Sequence, residues 1–268
     1  MRYKIGDVAR ILGISPDLIR YYEEKGVVSP TKDPNNNYRY YDTWDINYLI
    51  DCLWYKNFGF GIEQTASMVS GCSYDSLVDC LEDKTEQILG AIRHQEMLLQ
   101  WIRMFRERLT STKECLYKCE LRQCPDFVRY INRRNSTYDN LPGLQALSRR
   151  WLKYMPFSRR YFEIPEDKLT GGRDDYAWGF SLGMQYVEEF GVEIKPPVEF
   201  MPSRFCIHSA FKIVGRNNFS ARQIDFMADY ASENSLKISG CAFGNLACSV
   251  VEDGEPAGYF EVWLPIEA

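Results

Sequence analysis

Residues 3–26 read YKIGDVARILGISPDLIRYYEEKG, and this stretch decides the fold of the first part of the chain. Its first half carries three apolar side chains at helical spacing, which predicts an amphipathic helix over Asp7–Leu12. Gly13 follows the last of them, where a left-handed cap is least strained for glycine. The apolar residues of this helix are Val8, Ile11 and Leu12.

A second helix is predicted to begin at Pro16. Ser15 precedes it, and a serine N-cap followed by a proline in the first turn is typical of a helix start. Its apolar face carries Leu18, Ile19 and Tyr22, while Asp17, Arg20, Tyr21 and Lys25 are left on the outer face. Two short helices joined by a tight turn predict a helix-turn-helix, whose second helix enters the major groove of DNA.

A small hairpin is predicted after the second helix. The run Asp33-Pro34-Asn35-Asn36-Asn37 is a dense turn signal between two extended pieces, and the second piece is Tyr38-Arg39-Tyr40-Tyr41. Arginine and tyrosine side chains on such a wing suit contacts with phosphates, which position a protein on the duplex without reading its sequence.

These motifs, in this order, resemble the MerR family of transcription regulators. The resemblance rests on Arg20-Tyr21-Tyr22-Glu23 with Gly26 and on the wing. It continues through Trp44-Asp45-Ile46-Asn47-Tyr48-Leu49, Phe58-Gly59-Phe60 and Ile62-Glu63-Gln64. It implies a winged helix-turn-helix DNA-binding domain over residues 1–72. The DNA-contacting residues that we expect are Lys4, Ser15, Asp17, Arg20, Tyr21, Tyr38, Arg39 and Tyr40.

The charge of this domain is modest. Residues 1–41 hold seven Lys or Arg and five Asp or Glu, and acidic residues prevail after them. Binding to DNA would therefore depend on a few placed cations, helix N-termini and tyrosines rather than on a broad basic field. We expect one domain to bind weakly alone, so that a dimer is needed.

A long helix over residues 73–118 is predicted to supply the dimer. From Tyr74 to Leu116, steps of three and four residues repeat an apolar seam typical of a coiled coil, with Lys84 and Gln95 as its polar positions. The resemblance implies a homodimer with antiparallel pairing of this helix. The alternative is a single helix packed on its own domain. The seam residues are Tyr74, Leu77, Leu81, Lys84, Ile88, Ala91, Gln95, Leu98, Ile102, Phe105, Leu109, Thr112 and Leu116.

Residues 119–268 predict a second, α+β domain. Extended and helical runs alternate in two copies of a β-α-β-β unit, which together predict one curved antiparallel sheet with its helices on one face. The first copy has runs near Asp126–Asn132, Leu141–Tyr154, Arg160–Pro165 and Tyr176–Leu182. The second has runs near Arg204–Val214, Ser220–Asn234, Lys237–Val251 and Ala257–Pro265.

This tandem organisation resembles the gyrase-inhibitor-like effector-binding domain of multidrug-sensing regulators. The tail Tyr259-Phe260-Glu261-Val262-Trp263-Leu264-Pro265-Ile266 follows the closing acidic and aromatic strand of that family. The two resemblances together imply a dimeric activator on promoter DNA. In such regulators, ligand binding makes the DNA-bound dimer bend and untwist the promoter, so that RNA polymerase can engage both promoter elements.

Strand alternation places Tyr259, Glu261 and Trp263 on one face of the last strand. A carboxylate between aromatic rings would attract a lipophilic cation by ion pairing, cation–π attraction and apolar burial. Tyr176, Trp178 and Phe180 form a second aromatic stripe that we expect to line the pocket. The alternative is that these are core residues and that Glu261 forms a structural salt bridge. Further candidates are Tyr154, Tyr161, Trp151, Glu163 and Glu199.

The nine cysteines allow a rival hypothesis. Without a leader-like start or a long apolar span, they point to a reducing cytoplasm and not to disulfides. Cys80, Cys115 and Cys124 flank the ends of the long helix, and their spacing resembles that of mercury sensors. In an antiparallel dimer, thiolates from both chains would meet and could hold a soft metal ion.

Catalysis is not predicted. Neither His94 nor His208 stands in a nucleophile motif, and the chain lacks a phosphate-binding glycine loop and a His-Glu-x-x-His motif. Because related gyrase-inhibitor-like domains can carry hydrolytic activity, that activity is kept as a lesser alternative. No cofactor and no membrane partner are predicted.

Overall fold

The computed structural model describes residues 2–34, 38–168, 175–216 and 218–267. The chain divides into two compact units, residues 1–94 and 95–268. The boundary between them falls inside the longest helix. The Asn35–Asn37 part of the predicted hairpin turn lies outside the described residues.

The first unit begins with the predicted helix-turn-helix and wing. In chain order the elements are β1 (Tyr3–Lys4), α1 (Ile5–Leu12), α2 (Pro16–Glu24), β2 (Thr31–Lys32), β3 (Arg39–Tyr41), α3 (Thr43–Asn57) and α4 (Ile62–Gly71). The three strands form an antiparallel sheet in the order β1-β3-β2.

The turn between α1 and α2 has the predicted chemistry. Gly13 adopts a left-handed conformation with φ of 67°, which an L side chain would strain. Ser15 Oγ accepts a hydrogen bond from the Leu18 N–H at 3.2 Å and so satisfies one of the free donors at the start of α2. These two caps fix where α1 ends and where α2 begins.

One apolar core holds these elements together. Val8 of α1, Ile19 and Tyr22 of α2, Tyr41 of β3 and Leu49 of α3 are fully buried in it. Burial of each such side chain stabilises the fold by about 1.5–3 kcal/mol. The core therefore sets the angle at which α2 is presented.

The loop after α2 is tied to α3 by one carboxylate. Asp45 Oδ1 accepts from the Ser29 N–H at 3.1 Å, and its Oδ2 accepts from the Asp42 N–H at 2.9 Å. Asp42 in turn caps α3 by accepting from the Asp45 N–H. The Asp45 carboxylate thus fastens the chain after α2 to the start of α3 by accepting from two backbone N–H groups.

Helix α5 (Tyr74–Glu114) has 41 residues and confirms the predicted long helix. An exposed apolar stripe follows a repeat of three and four residues along it, and Thr85 and Gln95 take the polar positions of that repeat. The stripe consists of Val78, Leu81, Ile88, Ile92, Leu99 and Ile102. Such a stripe is what a paired helix buries.

The exposed stripe coincides with the predicted seam at every second position and is displaced from it by one residue at the others, and pairing of the helix in a dimer stays a prediction. Leu81, Ile88, Gln95 and Ile102 belong to the exposed repeat, but Leu98 packs into the core of the second unit, so Leu99 replaces it. Thr112 is likewise buried.

Lys84 was also misplaced as a polar seam position. Its ammonium group donates to the Gly59 carbonyl oxygen at 2.5 Å and lies 5.2 Å from the centroid of the Phe60 ring. Lys84 therefore joins α5 to the turn before α4. The apolar periodicity of α5 alone could not show which of its faces packs against its own chain and which stays exposed.

The second unit confirms the predicted α+β fold. Its helices are α6 (Pro142–Lys153) and α7 (Asp225–Glu233), the latter preceded by a 3₁₀ turn at Ala221–Ile224. The strands are β4 (Glu120–Gln123), β5 (Phe127–Arg134), β6 (Thr137–Tyr138), β7 (Arg159–Ile164), β8 (Ala177–Gly183), β9 (Glu199–Met201), β10 (Phe205–Val214), β11 (Ala242–Glu252) and β12 (Glu255–Pro265). They form a nine-stranded antiparallel sheet in the order β4-β10-β12-β11-β7-β8-β5-β6, and β9 also pairs with β5.

Both helices lie on one face of this sheet, which we call the helical face. Helix α7 packs on Phe211, Phe260 and Leu264, and α6 packs on Val128 and Tyr130. Strand alternation sends the neighbours of these residues to the other face, which we call the open face. None of the helices in the described part of the chain is long and apolar enough to cross a membrane.

Candidate functional sites

The outer face of α2 carries the predicted DNA-contacting groups. Asp17 and Arg20 are exposed and paired with each other at 2.5 Å, and Ser15 lies at the N-terminus of the helix. Tyr21 is half-buried, with its ring 5.6 Å from the Lys25 ammonium group. The helix therefore presents backbone N–H groups, one arginine and one tyrosine on the same side.

The wing is held against α2 by Glu23. Arg39 Nε donates to Glu23 Oε1 at 2.8 Å, and the hydroxyl of buried Tyr41 donates to Glu23 Oε2 at 3.3 Å. Glu23 was part of the MerR-like motif, but its role in fixing the wing was not predicted. On the wing, the exposed Tyr38 ring lies 5.4 Å from the Lys4 ammonium group. Lys4, Tyr38 and Arg39 therefore form one patch beside α2.

In the second unit, Glu261 lies on the open face, on the same side as Tyr259 and Trp263, as alternation predicted. Its carboxylate is already in contact with positively charged or basic side chains. Arg159 Nη2 lies 3.3 Å and Arg108 Nε 3.9 Å from Glu261 Oε2, and His208 Nε2 lies 3.4 Å from its Oε1. Three cationic or basic side chains distant in sequence therefore surround the carboxylate that was expected to attract a cationic ligand.

The pKa of Glu261 reflects these partners. Burial alone would raise the pKa of the carboxyl, but its contact with His208 and the charges of Arg159 and Arg108 outweigh burial and lower the pKa to about 2. Burial lowers the pKa of the Arg159 guanidinium to about 10. Glu261 is therefore a charged member of a half-buried ionic network, which is the structural alternative weighed for it.

The aromatic stripe expected beside Glu261 lies elsewhere. Trp178 and Phe180 are on the helical face, because Trp178 pairs in register with Phe162 and Phe180 with Tyr130. Tyr176 packs edge-on against Phe219 near the same face, with ring centroids 4.8 Å apart. One pocket built from Glu261 and this stripe is excluded by the pleat of the sheet.

Other candidates on the open face already have partners. The Tyr259 hydroxyl donates to the Glu252 carboxylate at 2.9 Å. Trp263 stacks on His208, with ring centroids 4.1 Å apart.

Tyr161 and Glu199 belong to a second ion-paired group on the same face. The Tyr161 hydroxyl donates to Glu163 Oε2 at 3.2 Å. Arg129 Nη2 lies 3.3 Å from that oxygen and 3.2 Å from Glu199 Oε2.

The remaining two candidates pack around α6. The Trp151 ring meets Tyr130 edge-on at 4.9 Å, and the Tyr154 ring stacks on Phe190 at 4.6 Å. Trp151 is buried and Tyr154 half-buried in the core around α6, and both line a further recess of about 400 Å³ which, in the part of the chain that the structure describes, shares no residue with the two recesses described next.

A cleft opens on the helical face, between α6 and the strands that carry α7. It has two recesses of about 520 Å³ and 750 Å³. Arg133, Arg160 and Trp178 line both recesses. Volumes of this size suit small-molecule ligands. Sequence reasoning named Trp178 but missed both arginines, because their proximity depends on the pairing of β5, β8 and β7.

The cysteines do not form a metal site within the described part of the chain. No group of three or more His, Cys, Asp or Glu side chains there is placed to hold a metal ion. Cys124 and Cys206 are buried neighbours, and the hydrogen bond between their thiols lowers the pKa of Cys124 and raises that of Cys206. A site formed by Cys80, Cys115 and Cys124 from two chains stays a prediction about the dimer.

Comparison with known proteins agrees with the first unit. Residues 4–41 match the MerR family regulatory protein model. The transcriptional regulator CueR of Escherichia coli O157:H7 is 38% identical over 66 residues, which are 25% of this chain and 49% of CueR. The N-terminal part of the chain is therefore a MerR family helix-turn-helix domain. The chain spans about half the length of the curated relatives it matches.

Solved structures give weaker likenesses. An EcmrR–DNA complex matches with a TM-score of 0.37 and 14% identity over 99% of each chain. The N-terminal part of the Bacillus subtilis multidrug transporter activator matches with a TM-score of 0.34 and 22% identity, over 38% of this chain and 95% of that one.

The ionic network around Glu261 predicts a stability effect with a defined pH window. Because its pKa is lower in the folded state than the ordinary value of about 4.3, its contribution is complete above that value and lost as the pH falls toward about 2. Replacing Glu261 leaves the half-buried Arg159 without its counter-charge, so Glu261→Gln should cost about 2 kcal/mol at neutral pH, somewhat less than for a fully buried pair. The loss of stability between pH 5 and pH 2 should be shallower in this variant.

Urea unfolding followed by tryptophan fluorescence at pH 7 and pH 3 measures both effects. Glu255→Gln, on the same strand but exposed, is the matched control. Equal unfolding free energies for the two variants at pH 7 would show that the network contributes no stability.

Proposed function

We propose that this protein is a dimeric, ligand-responsive transcription regulator of the MerR type that binds promoter DNA. The observation that carries the proposal is the arrangement of the chain: a MerR family helix-turn-helix domain continues into a 41-residue helix with an exposed apolar stripe, and then into a domain with a ligand-sized cleft. In this proposal the three parts supply DNA binding, dimerisation and ligand binding, respectively.

DNA binding is assigned to α2 and the wing. Arg20 and Arg39 lie on these two elements, and the Glu23 contact fixes the spacing between them. Lys4, Ser15, Asp17, Tyr21, Tyr38 and Tyr40 complete the proposed surface. A wing that is fixed before binding loses little freedom on the duplex, which offsets the small number of cations.

Dimerisation is assigned to the stripe of α5. Six aliphatic side chains exposed along one helix are unfavourable in water, and antiparallel pairing with a second copy would bury them. A two-fold dimer would present two recognition helices at a fixed spacing and would require a pseudo-palindromic operator.

The effector is assigned to the cleft on the helical face of the second unit. A lipophilic cation bound by Glu261 does not fit, because that carboxylate is already paired on the open face. We therefore place the ligand beside Trp178. By its preference for one conformation, the ligand would shift the dimer toward the form that distorts promoter DNA for RNA polymerase.

The DNA surface is tested by removing its two central arginines. Arg20→Ala and Arg39→Ala should each weaken binding to an operator selected from random-sequence DNA by the full chain. Each should also lower the slope of log affinity against log salt by about one if the lost contact is to a phosphate. Fluorescence anisotropy at several salt concentrations gives both quantities.

The control for this measurement is Lys56→Ala, which removes an exposed charge at the end of α3. Arginine variants that bind like Lys56→Ala would remove α2 and the wing from the DNA interface.

The dimer is tested by placing a charge in the stripe. Ile88→Glu should weaken self-association by about a hundredfold or more, because a carboxylate would be buried in each copy of the seam. Sedimentation equilibrium should then move from twice the 31.3 kDa chain mass toward the mass of one chain.

Gln87→Glu adds the same charge one residue away, outside the stripe, and should leave the dimer intact. A wild-type chain that sediments as a monomer, or an Ile88→Glu variant that stays dimeric, would contradict the assignment of α5.

A further inference from the structure

Two arginines flank one tryptophan at the centre of the cleft. The guanidinium carbons of Arg133 and Arg160 each lie 5.1 Å from the centre of the Trp178 ring. The ring attracts each cation, but the two positive charges repel each other. Loss of hydration lowers the pKa of Arg160, and the charge of Arg133 lowers it further. A negative charge in contact with both groups would remove this repulsion.

The same group of residues holds unused hydrogen-bond donors. Trp178 is 6% exposed, and within the described part of the chain its Nε1–H has no hydrogen-bond partner. Arg133 Nε is likewise buried without a partner there. Indole and guanidinium nitrogens can only donate, so the partner that they lack is an acceptor. Buried donors without acceptors are costly, which makes an acceptor supplied by a ligand favourable.

Most of the charged side chains around the cleft are positively charged. Arg133, Arg149, Arg160 and Arg216 line the two recesses, and Asp139 is the one carboxylate among the described residues that line them. Asp175 lies nearby, but its Oδ1 accepts from Asn135 Nδ2 at 2.9 Å. A cationic ligand would therefore enter a region that is already positive.

The first recess also has an apolar wall. Leu152 of α6, Met155 just after it and Phe180 of β8 line it, together with the polar side chains of Asn132 and Gln145. An apolar surface beside clustered donors matches a molecule with an aromatic body and an anionic group.

We propose that the Arg133–Trp178–Arg160 group binds the anionic group of an aromatic organic anion, such as an aromatic carboxylate. This inference rests on the proposed effector role of the cleft and names the charge class of its ligand. The carboxylate accepts from both guanidinium groups and from the Trp178 Nε1–H, and the aromatic body packs on Phe180 and Leu152. This charge is the opposite of the one expected from Glu261.

The test uses three probes with one ring system and different charge: 2-naphthoate, 2-naphthamide and trimethyl(2-naphthyl)ammonium. Isothermal titration of the full chain should give the tightest binding for 2-naphthoate. Arg133→Gln and Arg160→Gln should each weaken 2-naphthoate by about tenfold or more, since each removes a charge-assisted hydrogen bond. Neither substitution should weaken 2-naphthamide by more than about twofold.

Arg134→Gln is the matched control, because Arg134 is exposed on the same strand and does not line either recess. Thermal unfolding of each variant shows that it is folded. The inference is overturned if 2-naphthoate fails to bind at millimolar concentration, if the ammonium probe binds best, or if both cleft variants bind 2-naphthoate like Arg134→Gln.

Two outcomes separate this inference from the proposed function. If the amide or ammonium probe binds and Trp178→Ala abolishes that binding, the cleft remains the effector site and only the anionic class is wrong. Operator binding is measured on the same samples. Failure of the unliganded wild-type chain to bind any selected DNA overturns the proposed regulator whatever the probes do.

Discussion

The alternation of side chains across β7, β8, β11 and β12 is the constraint on which the second unit depends. Antiparallel pairing aligns Phe162 with Trp178 and Gly244 with Val262, so each neighbouring residue must point the other way. A slip of one residue would move every apolar side chain from the core to the opposite face. The register therefore separates the sheet into a helical face with the cleft and an open face with ionic networks.

This separation changes the role of Glu261. A carboxylate in a row of aromatic residues suggests a cation site, but the sheet places it beside His208 on the neighbouring strand β10 and Arg159 on β7, one strand beyond β11. Arg108, near the end of α5, also reaches it. The network thus joins the last turns of α5 to the open face within one unit. Because breaking a buried ion pair costs more than its formation gains, the network favours one arrangement of these elements.

Local features were predictable from the sequence. Gly13, Ser15 and Pro16 marked the helix-turn-helix because each fits a specific cap position, and the strands β5, β7, β8, β10, β11 and β12 followed from their flanking turns and apolar runs, whereas the short strands β4, β6 and β9 did not. The face of α5 was only half predictable, since Leu98 and Leu99 are equally apolar and packing within the second unit decides which one is exposed. The C-terminal candidate site was not predictable: Arg133 and Arg160 meet across β8, and no local pattern records that contact.

The proposed ligand binds on the helical face, beside Trp178, and not on the open face, beside Trp263 and Glu261. Nuclear magnetic resonance of the indole N–H groups of the full chain, titrated with 2-naphthoate, distinguishes the two faces directly. Trp178→Phe and Trp263→Phe variants assign the two signals. We expect the Trp178 signal to move as its Nε1–H, which has no acceptor among the described residues, gains one, while the Trp263 signal stays in place. Movement of Trp263 with an unchanged Trp178 signal would contradict this placement of the ligand.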